Sequence, residues 1–203
     1  MFTVRAASRE EAAEVADLFA RAFEDDPYWH ALMPRESRRQ RFIHRSVTKD
    51  LERGGINSLD VAVHQASGHL VGALRWEAPQ PHPDDQDPAL RREPGVWDAL
   101  KALFDCGAGH ELAVKRYRPQ EPHWALLEVA ADPELRGLGI ESALLTHRLD
   151  RIDRAPAPVI AETTTHAGVR LHKQFGFRTV GKVADLPGTD CSVMLRPQVP
   201  TLT

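Results

Sequence analysis

Glu128 stands inside the apolar run Trp124-Ala125-Leu126-Leu127-Glu128-Val129-Ala130. A carboxylate in such a run is costly unless it is paired or opens onto a pocket. In a pocket, partial desolvation raises its pKa toward the range useful for taking up a proton. The alternative is a structural pair with an arginine. His123, at the start of the same run, is a second candidate base, because an imidazole titrates near neutrality. A solvent-exposed histidine at a strand end is equally ordinary.

The run leads into Asp132-Pro133-Glu134-Leu135-Arg136-Gly137-Leu138-Gly139-Ile140. Pro133 pushes its predecessor out of the α region, so the strand cannot continue straight into a helix. Gly137 and Gly139 let the backbone turn sharply and come close to a ligand. The helix expected over Ser142 to Ile152 begins with unpaired N–H groups and the positive end of its dipole. Strand, glycine loop and helix start together suit a phosphorylated group, above all the pyrophosphate of a nucleotide-like cofactor. The plainer reading is a tight β–α turn whose glycines serve packing alone. The dinucleotide fingerprint lacks its third glycine, since Ile140, Glu141 and Ser142 follow, and the lysine of a P-loop is missing.

On these residues the chain resembles the GCN5-related N-acetyltransferases. Their cofactor motif is Gln or Arg, two free positions, Gly, one free position, then Gly or Ala. Gly137 and Gly139 match its last two fixed places, and Glu134 stands where Gln or Arg is usual. A second segment, Leu171-His172-Lys173-Gln174-Phe175-Gly176-Phe177, is similar to the family's late motif, in which Leu-Tyr on a helix precedes Gly-Phe.

The resemblance implies transfer of an acetyl group from acetyl-CoA to a primary amine of a small molecule. It also implies roles. The backbone of Val129, Ala130 and Ala131 would pair with the pantetheine arm and polarise the thioester carbonyl. Gly137, Gly139 and the amides of Leu138, Ile140 and Glu141 would hold the pyrophosphate, with Arg136 beside them. Glu128 or His123 would take the amine proton, and His172 would stand where the family commonly places a Tyr acid facing the leaving thiolate. Gly168 occupies a place near the cofactor arm where Asn is frequent. Glu141 sits where the family is often small, and its carboxylate would repel a pyrophosphate unless it points away or pairs with Arg136. Two other readings stay open: a member without turnover that serves as a binding or regulatory module, and an enzyme using the same cleft for another reaction.

The elements that must position these residues follow from periodicity. A strand at Thr3 to Ala6 precedes a helix over 8–23, begun by the capping-box pair Ser8 and Glu11. Its apolar positions Ala12, Val15, Ala16, Phe19 and Phe23 recur at helical spacing. Tyr28 to Pro34 reads either as the wall of an acceptor pocket or as a short helical cap. A helix over 35–53 carries seven basic residues, read as a solvated face or as an attraction for an anion. A hairpin over Ser58 to Val63 and Leu70 to Trp76 leads to a Pro-rich and helical insert at about 78–122. The central strand His123 to Ala131, a strand at Val159 to Glu162, a helix over 166–174 capped by Thr165, and strands Phe177 to Ala184 and Cys191 to Arg196 complete the series. This order predicts one α/β domain over 1–203, a mixed sheet flanked by helices on both faces. It is the acyl-CoA N-acyltransferase-like arrangement that the resemblance implies.

A net charge of −3 gives no ground for nucleic-acid binding, and no run is apolar enough to span a bilayer. Two cysteines cannot build a disulfide framework, so a reducing, cytoplasmic setting is expected. His166 and His172 do not share a helix face, and Cys106 with His110 finds no further ligand nearby in sequence, so no metal is expected. The sequence leaves a homodimer open, the commonest assembly of soluble homo-oligomers.

Overall fold

The computed structural model describes residues 1–52, 54–79, 110 and 112–198. Its strands are β1 (Phe2–Ala6), β2 (Leu59–His64), β3 (Leu70–Glu77), β4 (Trp124–Ala131), β5 (Val159–Thr163), β6 (Arg178–Leu186) and β7 (Thr189–Arg196). Its helices are α1 (Ala12–Ala22), α2 (Pro27–Leu32), α3 (Glu36–Glu52), α4 (Ile140–Ile152) and α5 (His166–Gln174). Most of the Pro-rich and helical insert expected at about 78–122 lies outside the described residues, although 112–115 are helical.

The strands form one sheet in the order β1-β2-β3-β4-β5-β7-β6. Every neighbouring pair is antiparallel except β4 and β5. A parallel pair needs a crossover, which α4 supplies. One face of the sheet is covered by α1 and α3, whose Val15, Phe19, Ile43 and Val47 pack on Leu59, Val61 and Ala73. The opposite face is covered by α4, through Ile140, Leu144, Leu145 and Leu149 against Leu74, Leu126 and Val159. Each fully buried Leu, Ile or Phe contributes roughly 1.5–3 kcal/mol.

Several contacts fix these layers. Gly72 of β3 is a glycine because a Cβ there would collide with the Ile140 side chain of α4. Arg148 of α4 donates two hydrogen bonds of 2.7 Å to Asp60 of β2, both residues buried, and its guanidinium lies 3.8 Å over the Trp76 ring. Arg35 just before α3 and Arg38, Arg41, Arg45 and Lys49 on it are exposed, as a solvated basic face requires. Arg39 departs from that pattern. It is 2% exposed and binds the carbonyls of Glu24 and Met33 at 2.9 Å, tying α3 to the segment that carries α2.

The feature that makes the site is a fork in the sheet. β4 and β5 pair only at Trp124↔Val159, Ala125↔Ile160 and Leu126↔Ala161. Beyond Leu126 the strands separate. On the other side of β4, the register against β3 shifts between Arg75↔Glu128 and Trp76↔Leu126, which leaves Leu127 as the extra residue of a bulge. A bulge bends its strand and increases local twist, and here it lies where β4 leaves β5.

Candidate active site in the fork of the sheet

The fork opens into a cleft of about 720 Å³. Its floor is β4 from Ala125 to Ala131, and the glycine loop and the start of α4 close one end. After β4, Asp132 accepts a hydrogen bond from the Glu134 amide at 3.0 Å and opens a single 3₁₀ turn, Pro133–Leu135. Gly137 and Gly139 follow with φ of 81° and 77°, a region that favours glycine. Gly139 caps α4, and its carbonyl accepts from the Ala143 amide at 2.9 Å. The helix therefore begins two residues before the expected Ser142, because a left-handed glycine can end the loop directly. Arg136, Gly137 and Glu141 line the cleft. Leu138 and Ile140 do not: their side chains border a separate groove on the other side of the loop, Leu138 exposed and Ile140 in the core. Only the backbone at those two positions and at Gly139 remains for a ligand.

Glu141 is half-buried, and burial pushes its carboxyl above the usual range, with Arg136 pulling it back. Across the cleft, Thr165 caps α5 by accepting from the Gly168 amide at 3.0 Å. A Cβ on Gly168 would collide with the Thr163 hydroxyl, so the larger residue of the family pattern has no room here. His172 follows one turn later, 4% exposed, with Nδ1 2.8 Å from the Gly168 carbonyl. A carbonyl oxygen only accepts, so Nδ1 carries the proton and donates. Burial lowers the pKa of this imidazole, with the Gly168 bond opposing. The neutral ring has no proton on Nε2. The expected role of His172 as a donor to a thiolate needs the imidazolium, which this environment disfavours.

The two candidate bases also come out differently. Glu128 lines the cleft, but Arg75 of β3 lies directly opposite and donates to both carboxylate oxygens, at 2.5 and 2.9 Å. The structural pair is thus what the strand pairing brings about, and both oxygens are already acceptors of charge-assisted bonds. His123 precedes β4, donates from Nδ1 to the Glu121 carbonyl at 3.0 Å and does not line the cleft. Five residues of strand put it roughly 16 Å from Glu128, at about 3.3 Å per residue. It stands at the wrong end of β4 for a base.

In their place the cleft presents acids from other segments. Asp26 caps α2 and accepts from the Tyr28 amide at 2.9 Å. Burial raises its carboxyl above the ordinary range, against the amide bonds of Tyr28 and Trp29. Tyr28 and Trp29 line the cleft as well, so the segment is both the helical cap and the pocket wall that the sequence left open. Glu162, at the end of β5, lies 3.1 Å from Nε2 of the buried His110 and 3.9 Å from Arg118. Asp25-Asp26-Pro27 reads in sequence merely as a helix end, although Asp before Pro at a helix start is a capping pattern. His110 stands out in sequence only beside Cys106, and no spacing links it to Glu162.

No family model matches the chain. Solved structures do match in fold. A Corynebacterium glutamicum protein described as histone acetyltransferase HPA2 and related acetyltransferase aligns over 100% of this chain and 99% of its own, with a TM-score of 0.74 and 24% identity. The mosquito arylalkylamine N-acetyltransferase like 5b aligns over 98% and 100%, at 0.69 and 17%. The Drosophila melanogaster polyamine N-acetyltransferase aligns over 100% of both chains, at 0.61 and 19%. The chain has the fold of the GCN5-related N-acetyltransferases. The fork between β4 and β5 and the two left-handed glycines before α4 lie along the same cleft. They present unpaired strand backbone and helix-start amides along one cleft.

Proposed function

We propose that the protein is an acetyl-CoA-dependent N-acetyltransferase acting on a primary amine of a small molecule. The observation that carries this reading is the early end of β4–β5 pairing at Leu126↔Ala161, beside a loop that begins α4 with two left-handed glycines. The residues present fit the cofactor. Among the described residues, no backbone hydrogen bond engages the amides of Gly137, Gly139, Ile140 or Glu141, and such helix-start amides favour a pyrophosphate. Arg136 adds a positive charge. The edge of β4 at Val129, Ala130 and Ala131 is free of β5 and can pair with an extended pantetheine arm, with an amide facing the thioester carbonyl. When bound, acetyl-CoA supplies an activated thioester.

The chain's own residues would then hold the amine and move its proton. Asp26, with its raised carboxyl, takes the proton of the attacking amine, directly or through one water. Arg75 keeps Glu128 engaged as part of the cleft floor. His172 fixes Gly168 and offers its unprotonated Nε2 as an acceptor. The departing thiolate takes its proton from solvent. Asp25, Asp26, Glu77 and Glu162, together with Tyr28 and Trp29, favour a cationic, partly apolar acceptor. The arylalkylamine and polyamine acetyltransferases of the same fold support that class.

The test is calorimetric titration with acetyl-CoA, followed by an amine screen with thiol detection. Saturable binding and thiol release with at least one arylalkylamine or polyamine support the proposal, and no binding at millimolar cofactor refutes it. A second reading, a binding module without turnover, is favoured by the burial of His172, which disfavours its imidazolium. Saturable cofactor binding without thiol release from any amine would select it.

A further inference from the structure

Three side chains of different chemistry meet on the acceptor wall. His110, Glu162 at the end of β5 and Cys191 of β7 each offer one ligand atom, and these atoms lie within 4.8 Å of one another. His110 and Cys191 are each 2% exposed, Glu162 is partly exposed, and all three line the cleft. We propose that this imidazole, carboxylate and thiol form a binding site for one divalent cation of the zinc class, with its fourth position open to the cleft.

The donor set selects the metal. Imidazole nitrogen and thiolate sulfur suit a borderline-soft cation such as Zn²⁺, and the carboxylate oxygen, also an accepted zinc donor, supplies the third protein ligand. For ordinary Zn–N, Zn–O and Zn–S bonds, tetrahedral ligand atoms stand roughly 3.3–3.6 Å apart. The Nε2–Oε2 distance of 3.1 Å is already close to that spacing, and the sulfur, within 4.8 Å of both, needs a shift of at most about 1.3 Å. The charges agree as well. A thiolate, a carboxylate and a neutral imidazole sum to two negative charges, matching the cation. Arg118 approaches the other carboxylate oxygen, Oε1, at 3.9 Å, so its charge opposes the cation without occupying the ligand oxygen. Loading releases the thiol proton to solvent and replaces the His110–Glu162 hydrogen bond. Affinity therefore rises with pH.

The plain alternative is a hydrogen-bonded His–Glu pair beside an inert buried thiol. It predicts no uptake. The site does not depend on acetyl transfer, so its failure and the failure of the proposed activity are separate results.

The experiment titrates the chelator-stripped protein, without cofactor, with Zn²⁺ against a chromophoric chelator and with Co²⁺ by absorption. The expected result is one metal per chain, with a near-ultraviolet thiolate-to-cobalt band. Cys191→Ser should abolish that band, and both Cys191→Ser and His110→Ala should weaken Zn²⁺ by at least about tenfold, with unchanged far-ultraviolet circular dichroism. No saturable uptake overturns the proposal. So does a cobalt band that survives in Cys191→Ser, which would assign it to Cys106, the other cysteine of the chain.

Discussion

Arg75 and Glu128 occupy directly opposed positions on β3 and β4 and share two hydrogen bonds across the strands. Side chains of 9% and 20% exposure make this a pair whose loss is felt in folding. Glu128→Gln should lower unfolding free energy by about 1–3 kcal/mol, read by chemical denaturation. Coenzyme A affinity should stay within a few-fold of wild type. A large fall in turnover at unchanged stability would instead return the base to Glu128.

Asp26 behaves in the opposite sense. Its folded-state pKa lies above the unfolded value because of burial. Its contribution to stability is therefore complete below the ordinary aspartate range and is lost as pH rises through the raised value. Asp26→Asn keeps a good helix cap. It should unfold at equal or higher denaturant than wild type at pH 7, with the gap closing at acid pH, while turnover drops by about 100-fold or more. A variant with full turnover would leave the amine proton to another group.

Glu141 predicts a pH-dependent affinity. Burial raises its carboxyl, and it borders the place proposed for a pyrophosphate. Ionisation adds a repelling charge, so coenzyme A should bind more weakly as pH rises through that raised value. Glu141→Gln should bind several-fold more tightly at neutral pH and flatten the dependence, measured by calorimetry at several pH values. Equal affinity in both proteins at all pH values would mean that the carboxylate points away from the ligand.

His172 sets an acid limit. Its folded-state pKa is depressed by burial, so its stability contribution is present above the ordinary imidazole value, about 6.5, and is lost as pH falls through the lowered one. His172→Gln should show a shallower loss of stability over that acid interval in denaturant series. An unchanged slope would show that the ring protonates without penalty.

Arg148 anchors α4 to β2 through Asp60, and the pair is buried. Arg148→Met strands a buried carboxylate and should cost about 3–5 kcal/mol. Adding Asp60→Asn should recover part of that loss, seen in thermal melts as a partial return of Tm. No recovery would shift the cost to the lost contact of the guanidinium with Trp76.

What was legible in the sequence was local. Pro133, Gly137 and Gly139 encode the turn and the helix start within one short stretch, and Thr165 encodes the cap of α5. Apolar runs bounded by glycine and proline mark the strands along the chain, although not their order in the sheet. What stayed hidden depends on pairing between distant segments. Arg75 meets Glu128 across 53 positions, and His110 meets Glu162 across 52; no spacing rule links them. Arg39 looked like one more surface charge because its partners are carbonyls of an irregular segment. The burial that disfavours an imidazolium at His172 is hidden for a related reason, since it is set by how α5 lies against β6 and β7. His123 is the exception, because strand rise alone separates it from the fork.

The seam between β4 and β5 is three residue pairs long. The sheet is therefore two rafts, one of four strands and one of three, laced together at a single end. Such a construction behaves like a book held at the bottom of its spine. The gap between the pages follows from how far the lacing runs, so residues 124–126 and 159–161, none of them an acid or a base, bear on what size of molecule the opening admits.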